Sequence, residues 1–194
     1  MEAGADLLGF NFYPPSPRSI SLEDCAKITS ILRQDFPSIT LVGVFVNMPV
    51  EQVKVTLKKC SLDLAQLHGD ETVDILAAFH GKAYKAFRGI PENTILDEFT
   101  SLAPGKTPAF LLDASAKGYY GGSGLTADWS GAAQLAKKYP ILLAGGLNAG
   151  NISDALEQVH PWGVDTASGV EKSHGKKDIH KMRAFVEEIR SFER

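Results

Sequence analysis

Short apolar runs rich in β-branched residues alternate with longer amphipathic stretches along the whole chain. The runs that predict strands are Leu7 to Tyr13, Thr40 to Val46, Leu64 to His68, Ala83 to Arg88, Ala109 to Asp113, Ile141 to Ala144 and Gly163 to Thr166. Their near-continuous apolarity fits strands covered on both faces, as in a parallel sheet. Between them the periodicity predicts helices over Leu22 to Gln34, Val50 to Lys59, Thr72 to Phe79, Ala127 to Lys138, Asn151 to Val159 and Asp178 to Ile189, with a weaker one over Asn93 to Ser101. Two starts carry a capping pattern. Ser21 precedes Leu22 with Asp24 three residues on, and Asn151 precedes Ile152 with Asp154 three residues on. No linker, low-complexity tract or charge block divides the chain, so one domain over residues 1–194 is expected.

Strict βα alternation leaves an open doubly wound sheet or a barrel. A dinucleotide-binding sheet wants a G-x-G-x-x-G turn after its first strand. Here that turn reads Phe12-Tyr13-Pro14-Pro15-Ser16-Pro17-Arg18, without glycine. The glycine clusters follow the late strands instead, where (βα)8 barrels build phosphate sites, and this favours the barrel. Seven strands are legible, one fewer than a closed barrel of that type needs.

Composition narrows the function classes. The 194 residues carry a formal net charge of −3, which offers no basic surface for nucleic acid or anionic membrane. No apolar run approaches the roughly 20 residues of a membrane helix, and the first residues lack the pattern of a signal peptide, so a cytoplasmic location is expected. Cys25 and Cys60 fall in helical segments without metal-ligand spacing and read as reduced structural thiols.

Candidate chemistry gathers at strand ends. Ala144-Gly145-Gly146-Leu147-Asn148 and Ala167-Ser168-Gly169-Val170-Glu171 follow successive late strands. Missing side chains let backbone N–H groups approach an anion, and Ser168 adds a donor. Either set alone is equally a tight βα turn; the pair in these positions favours phosphate binding. Asp113 ends a strand, where a carboxylate faces the mouth of a barrel and partial desolvation suits it to general-acid work, although a loop-capping aspartate reads the same way. Tyr119 to Gly124 is a small-residue loop able to fold over a ligand or simply to flex. Arg18 follows a proline-stiffened loop and suits bidentate recognition of a carboxylate, although a surface arginine is more often solvated. His68 is a second mouth candidate, or a hydrogen-bonded scaffold histidine. Lys85, in mid-strand, reads as a buried cation without an assigned role.

Taken together, the segments resemble the phosphoribosylanthranilate isomerases of tryptophan biosynthesis. The resemblance rests on Gly4 to Tyr13 continuing through Ser16-Pro17-Arg18; on Val42 to Asn47; on Gln66-Leu67-His68-Gly69; and on Leu111-Leu112-Asp113. It continues through Tyr120 to Gly124 with Asp128-Trp129, Ala144-Gly145-Gly146-Leu147, and Val164 to Glu171 followed by Gly175-Lys176-Lys177-Asp178. Any one of these is weak; the ordered set spans nearly the whole chain. The resemblance implies a TIM (βα)8-type barrel and an Amadori rearrangement of N-(5′-phosphoribosyl)anthranilate, with no metal and no organic cofactor. It implies Asp113 as general acid, Arg18 holding the anthranilate carboxylate, and Gly145, Gly146, Ser168 and Gly169 forming the phosphate cradle. His68 and Asp165 join the expected substrate contacts.

The family's general base is a cysteine on the first strand, in a Lys-x-Cys-Gly context. Glu2 to Asp6 matches the last turn of the helix after that strand. The chain is therefore expected to form a barrel lacking its first strand and most of its first helix, with very low activity as written. The alternative expectation is a non-catalytic phosphate-binding barrel fragment. A related histidine-pathway isomerase fits less well, because no half-barrel repeat with paired aspartates is visible. The expected partner is a small phosphorylated sugar–anthranilate substrate, with no nucleic acid or membrane, and the expected assembly is a monomer or homodimer.

Overall fold

A computed structural model describes residues 3–102, 108–114 and 129–192. The expected loop at 119–124 and Asp128 lie outside these residues. The chain forms two compact units, residues 1–85 and 86–194.

The first unit runs β1 (Leu7–Asn11), α1 (Leu22–Asp35), β2 (Thr40–Phe45), α2 (Val50–Lys59), β3 (Leu64–Leu67), α3 (Val73–Ala77) and the start of β4 (Ala83–Arg88). Its strands pair in parallel, with Leu7 opposite Thr40, Val42 opposite Leu64 and Ala65 opposite Ala83. Ser21 caps α1 as its spacing predicts, accepting from the Asp24 N–H at 3.0 Å. Glu23 and Asp24 in the first turn complement the helix dipole. At the far end Arg33 donates to the carbonyls of Ile39 and Ser61 and pairs with Asp63, tying the helix to the strands beside it. Leu41, Phe45, Val53, Ala65, Leu67 and Leu76 are buried and form the apolar interior. Each fully buried large aliphatic side chain contributes about 1.5–3 kcal/mol.

The second unit continues from β4 through α4 (Asn93–Thr100), β5 (Phe110–Asp113), α5 (Trp129–Ala136), β6 (Ile141–Ala144), α6 (Ile152–Val159) and β7 (Gly163–Val164). A 3-10 turn (Ser168–Val170), a short hairpin of β8 (Glu171–Ser173) and β9 (Lys176–Lys177), and α7 (Ile179–Phe192) complete it. β5, β6 and β7 are parallel neighbours, with Asp113 opposite Ala144 and Leu143 opposite Val164. Phe110, Leu112, Ile141, Leu143, Leu147, Ile152 and Ala155 are fully buried in its core. The strands follow chain order, β1 to β7, in one parallel α/β sheet.

The departures from the sequence reading are local. β7 stops at Val164 instead of continuing to Thr166. Asp165 N–H still reaches the Leu143 carbonyl, but the Thr166 hydroxyl turns to the Leu147 carbonyl and takes the chain out of the sheet. α3 is shorter than predicted, and left-handed His80 and Gly81 lead into β4. The β8–β9 hairpin was not predicted: its residues are mostly charged and exposed, so no apolar alternation announces it.

Candidate active site

In the first unit, the loop carrying Arg18 is held by its own polar groups. Asn11 at the end of β1 accepts from the Tyr13 N–H at 2.8 Å and donates to the Ser16 hydroxyl, which accepts from the Arg18 N–H at 3.2 Å. Two successive turns, Ser16 N–H to Tyr13 O and Ser19 N–H to Ser16 O, carry the chain past Arg18, and Ile20 N–H returns to Asn11 O. The half-buried Arg18 therefore stands on a fixed backbone beyond a strand end. His68 follows the C-terminal end of β3, half-buried, with its N–H on the Phe45 carbonyl at 2.8 Å.

Lys85 is a buried cation, as its mid-strand position suggests, and its partner is Glu71. The ammonium donates to Glu71 Oε2 at 3.0 Å and to the carbonyls of Gly69 at 2.6 Å and Leu67 at 3.3 Å. Glu71 also accepts from the N–H groups of Asn47 and Gly69. Burial opposes ionisation of this carboxyl, but the Asn47 hydrogen bond and the Lys85 ammonium outweigh it and hold Glu71 below the usual carboxylate range. This network fixes the loops after β2 and β3, the second of which carries His68. Sequence reading missed Glu71, since nothing in Gly69-Asp70-Glu71 distinguishes it from a surface carboxylate.

The second unit brings Asp113, Gly145, Gly146, Asp165, Ser168 and Gly169 to the C-terminal ends of three adjacent strands. Buried Leu147 anchors the first glycine loop. Asn151 occupies the N-cap position of α6, but its side chain does not cap the helix. It accepts from the Asn148 N–H at 2.9 Å and donates to the Gly146 carbonyl at 3.2 Å, because the loop's own orphan groups lie within its reach. Asn148 adds a second donor to the same carbonyl at 3.2 Å. Gly146 has φ +71°, and a Cβ built there would meet nothing within 4 Å. The loop thus combines a left-handed backbone with open space above it.

The second glycine loop is locked onto the first. The Thr166 hydroxyl donates to the Leu147 carbonyl at 2.7 Å. A Cβ on Gly169 would stand 1.9 Å from that same oxygen, so only glycine permits the approach. Two separate sequence motifs thereby meet on a single backbone carbonyl.

Beside these loops lie two carboxylates. Asp113 is half-buried at the end of β5; its carbonyl accepts from Gly89 N–H and the next N–H, of Ala114, reaches Ala144. Asp165 is exposed, yet the protein around its carboxyl raises its pKa above the ordinary value, desolvation being the largest cause. The Lys177 cation opposes that rise and the Asp113 carboxylate adds to it. The pair is close enough for charge on one to be felt by the other.

A sequence model of the N-(5′-phosphoribosyl)anthranilate (PRA) isomerase family matches residues 1–188. This chain belongs to that family. An N-(5′-phosphoribosyl)anthranilate isomerase of Pelobacter propionicus is 45% identical over 186 residues, covering 96% of this chain and 86% of the relative. The crystal structure of phosphoribosyl anthranilate isomerase from Thermotoga maritima superposes with a TM-score of 0.84 at 34% identity, covering 98% of this chain and 90% of that one. A further isomerase structure, in complex with reduced 1-(o-carboxyphenylamino)-1-deoxyribulose 5-phosphate, matches with a TM-score of 0.78 at 30% identity, covering 98% of this chain and 90% of that one.

The two cysteines bear on which family roles this chain can fill. Cys25 in α1 and Cys60 after α2 are free and fully buried. Burial, with Cys60 beside it, pushes the Cys25 thiol up to about 12. Neither stands at a strand end, so both read as structural thiols, as their sequence context suggests.

Proposed function

We propose that this chain isomerises N-(5′-phosphoribosyl)anthranilate to 1-(2-carboxyphenylamino)-1-deoxyribulose 5-phosphate, with strands β1 to β7 belonging to a (βα)8-type barrel. The observation that carries the site assignment is the meeting of the two glycine loops on the Leu147 carbonyl, next to Asp113 and Asp165. Loops that present backbone N–H groups over open space suit a phosphate, and a carboxyl at a strand end beside them suits acid chemistry on the attached sugar.

In this reading the 5′-phosphate sits against Gly145, Gly146, Ser168 and Gly169. Asp113 gives its proton to the furanose ring oxygen; the C1′–O bond breaks and the anthranilate nitrogen lone pair forms the Schiff base. Removal of the C2′ proton gives an enolamine, which tautomerises to the keto product. Asp165 contacts the sugar, His68 the substrate, and Arg18 receives the anthranilate carboxylate. The base that takes the C2′ proton is neither Cys25 nor Cys60, both buried in helical segments. The reaction proceeds without metal or organic cofactor.

Gly146→Val tests the phosphate location. A valine fills the open space and strains a left-handed backbone, at about 1–3 kcal/mol. Affinity for inorganic phosphate and for the phosphorylated product analogue should fall by at least about tenfold, while free anthranilate binds as before. Equal losses for anthranilate and phosphate, measured by calorimetric titration, would place the phosphate elsewhere.

A further inference from the structure

We propose that Lys177 is a positioning residue for the phosphate loop, holding the Ala167–Ser168 peptide so that the Ser168 N–H faces the bound phosphate. The proposal rests on the phosphate location given above and adds a residue to which the reaction assigns no role.

Lys177 lies in β9, directly opposite Glu171 in β8. Its ammonium donates to the Ala167 carbonyl at 2.6 Å and to Glu171 Oε1 at 3.3 Å. The Glu171 side chain is only 4% exposed, so this carboxylate is a fixed anchor for the ammonium. Glu171 is held in turn through its backbone: Lys181 donates to its carbonyl at 2.8 Å. The neighbouring Asp178 N–H closes on the Val170 carbonyl at 2.9 Å. The hairpin that the sequence pattern did not announce therefore forms a rigid bracket behind residues 167–171.

A peptide unit is planar and its C=O and N–H point in opposite directions. Fixing the Ala167 carbonyl on Lys177 turns the Ser168 N–H away from the ammonium. The first glycine loop is held by the same means: the amides of Asn148 and Asn151 grip the Gly146 carbonyl and turn the Leu147 N–H the other way. Each loop thus has one carbonyl drawn back by side chains, and the two loops touch at Leu147 O. The Gly175-Lys176-Lys177-Asp178 stretch supplies the second of these grips.

The test uses isotopically labelled protein, with Lys177→Met, Lys177→Arg and the double variant Lys177→Met/Glu171→Gln. The double variant leaves net charge unchanged and strands no buried carboxylate, so it keeps the test open where the single methionine variant fails to fold. Inorganic phosphate and free anthranilate are titrated separately, following the amides of Gly145, Gly146, Ser168 and Gly169. The double variant should bind phosphate about tenfold more weakly or worse, the size of one lost charge-assisted hydrogen bond, with anthranilate affinity unchanged. In ligand-free protein its Ala167 carbonyl and Ser168 amide resonances should move, and Lys177→Arg, which keeps a donor, should retain more phosphate affinity than either methionine variant. Wild-type phosphate affinity in the double variant would overturn the inference alone. Wild-type protein whose four glycine-loop amides ignore phosphate would overturn the phosphate location, and the inference with it.

Discussion

Asp113→Asn is expected to lower kcat by about 10²- to 10⁴-fold, the usual contribution of a general acid or base. The measurement is steady-state turnover of N-(5′-phosphoribosyl)anthranilate. Phe110, Leu111 and Leu112 are buried, and the Asp113 backbone is fixed by Gly89 N–H on its carbonyl and by Ala114 N–H on Ala144. Asparagine therefore occupies the same place with the same shape and lacks only the transferable proton. Affinity for the reduced product analogue should change little, because the two glycine loops are untouched. The charge that helps raise the Asp165 pKa would also disappear, leaving desolvation against the Lys177 cation. Near-normal kcat in Asp113→Asn would exclude Asp113 as the acid, and Asp165, the neighbouring carboxyl with the raised pKa, would be the next to replace.

Lys85→Met is expected to destabilise the fold by about 3–5 kcal/mol, as when one member of a buried ion pair is removed. The Lys85 and Glu71 side chains are 7% and 2% exposed, so water cannot replace the lost ammonium. The effect should depend on pH, with a sign that follows from Glu71. Its folded-state pKa is held below the ordinary value. Its contribution to stability is therefore complete above the unfolded carboxylate pKa of about 4.3 and is lost as pH falls through the lower folded value. In Lys85→Met, burial acts on Glu71 with only the backbone N–H groups opposing it, so the carboxyl protonates at higher pH. The gap between wild-type and variant stability should accordingly shrink as the pH is lowered from 7 through that range. Urea unfolding at a series of pH values measures it; a gap below about 1 kcal/mol at neutral pH, the worth of an exposed pair, would show that the ion pair is not load-carrying.

The seven strands were legible because each is a short run covered on both faces, so apolarity alone marks it. What the periodicity could not carry is the polar architecture at the strand ends. Asn151 reads as a helix cap, and only the fold shows its side chain turned back onto Gly146 and Asn148. Gly169 reads as part of one of two loosely similar glycine motifs, and only the position of Leu147 O, which a Cβ would overlap, explains why it must be glycine. Glu71 and Lys177 were invisible as partners for the same reason: their counterparts, Lys85 and Ala167 O, are 14 and 10 residues away with no local pattern linking them. Asp113 stands out as a candidate because a carboxylate at the end of an apolar run is conspicuous, whereas Asp165 is a candidate only through a family motif, and the surroundings that raise its pKa are not visible in the sequence.

The most direct test is the loss of phosphoribosylanthranilate fluorescence in the protein itself, in Asp113→Asn and in the double variant Cys25→Ala/Cys60→Ala. Turnover should fall about 10²- to 10⁴-fold in Asp113→Asn and stay near the unaltered rate in a folded double cysteine variant, because both thiols are buried away from the strand ends. Unchanged turnover in Asp113→Asn would contradict the assignment, as would loss of turnover in a folded double cysteine variant.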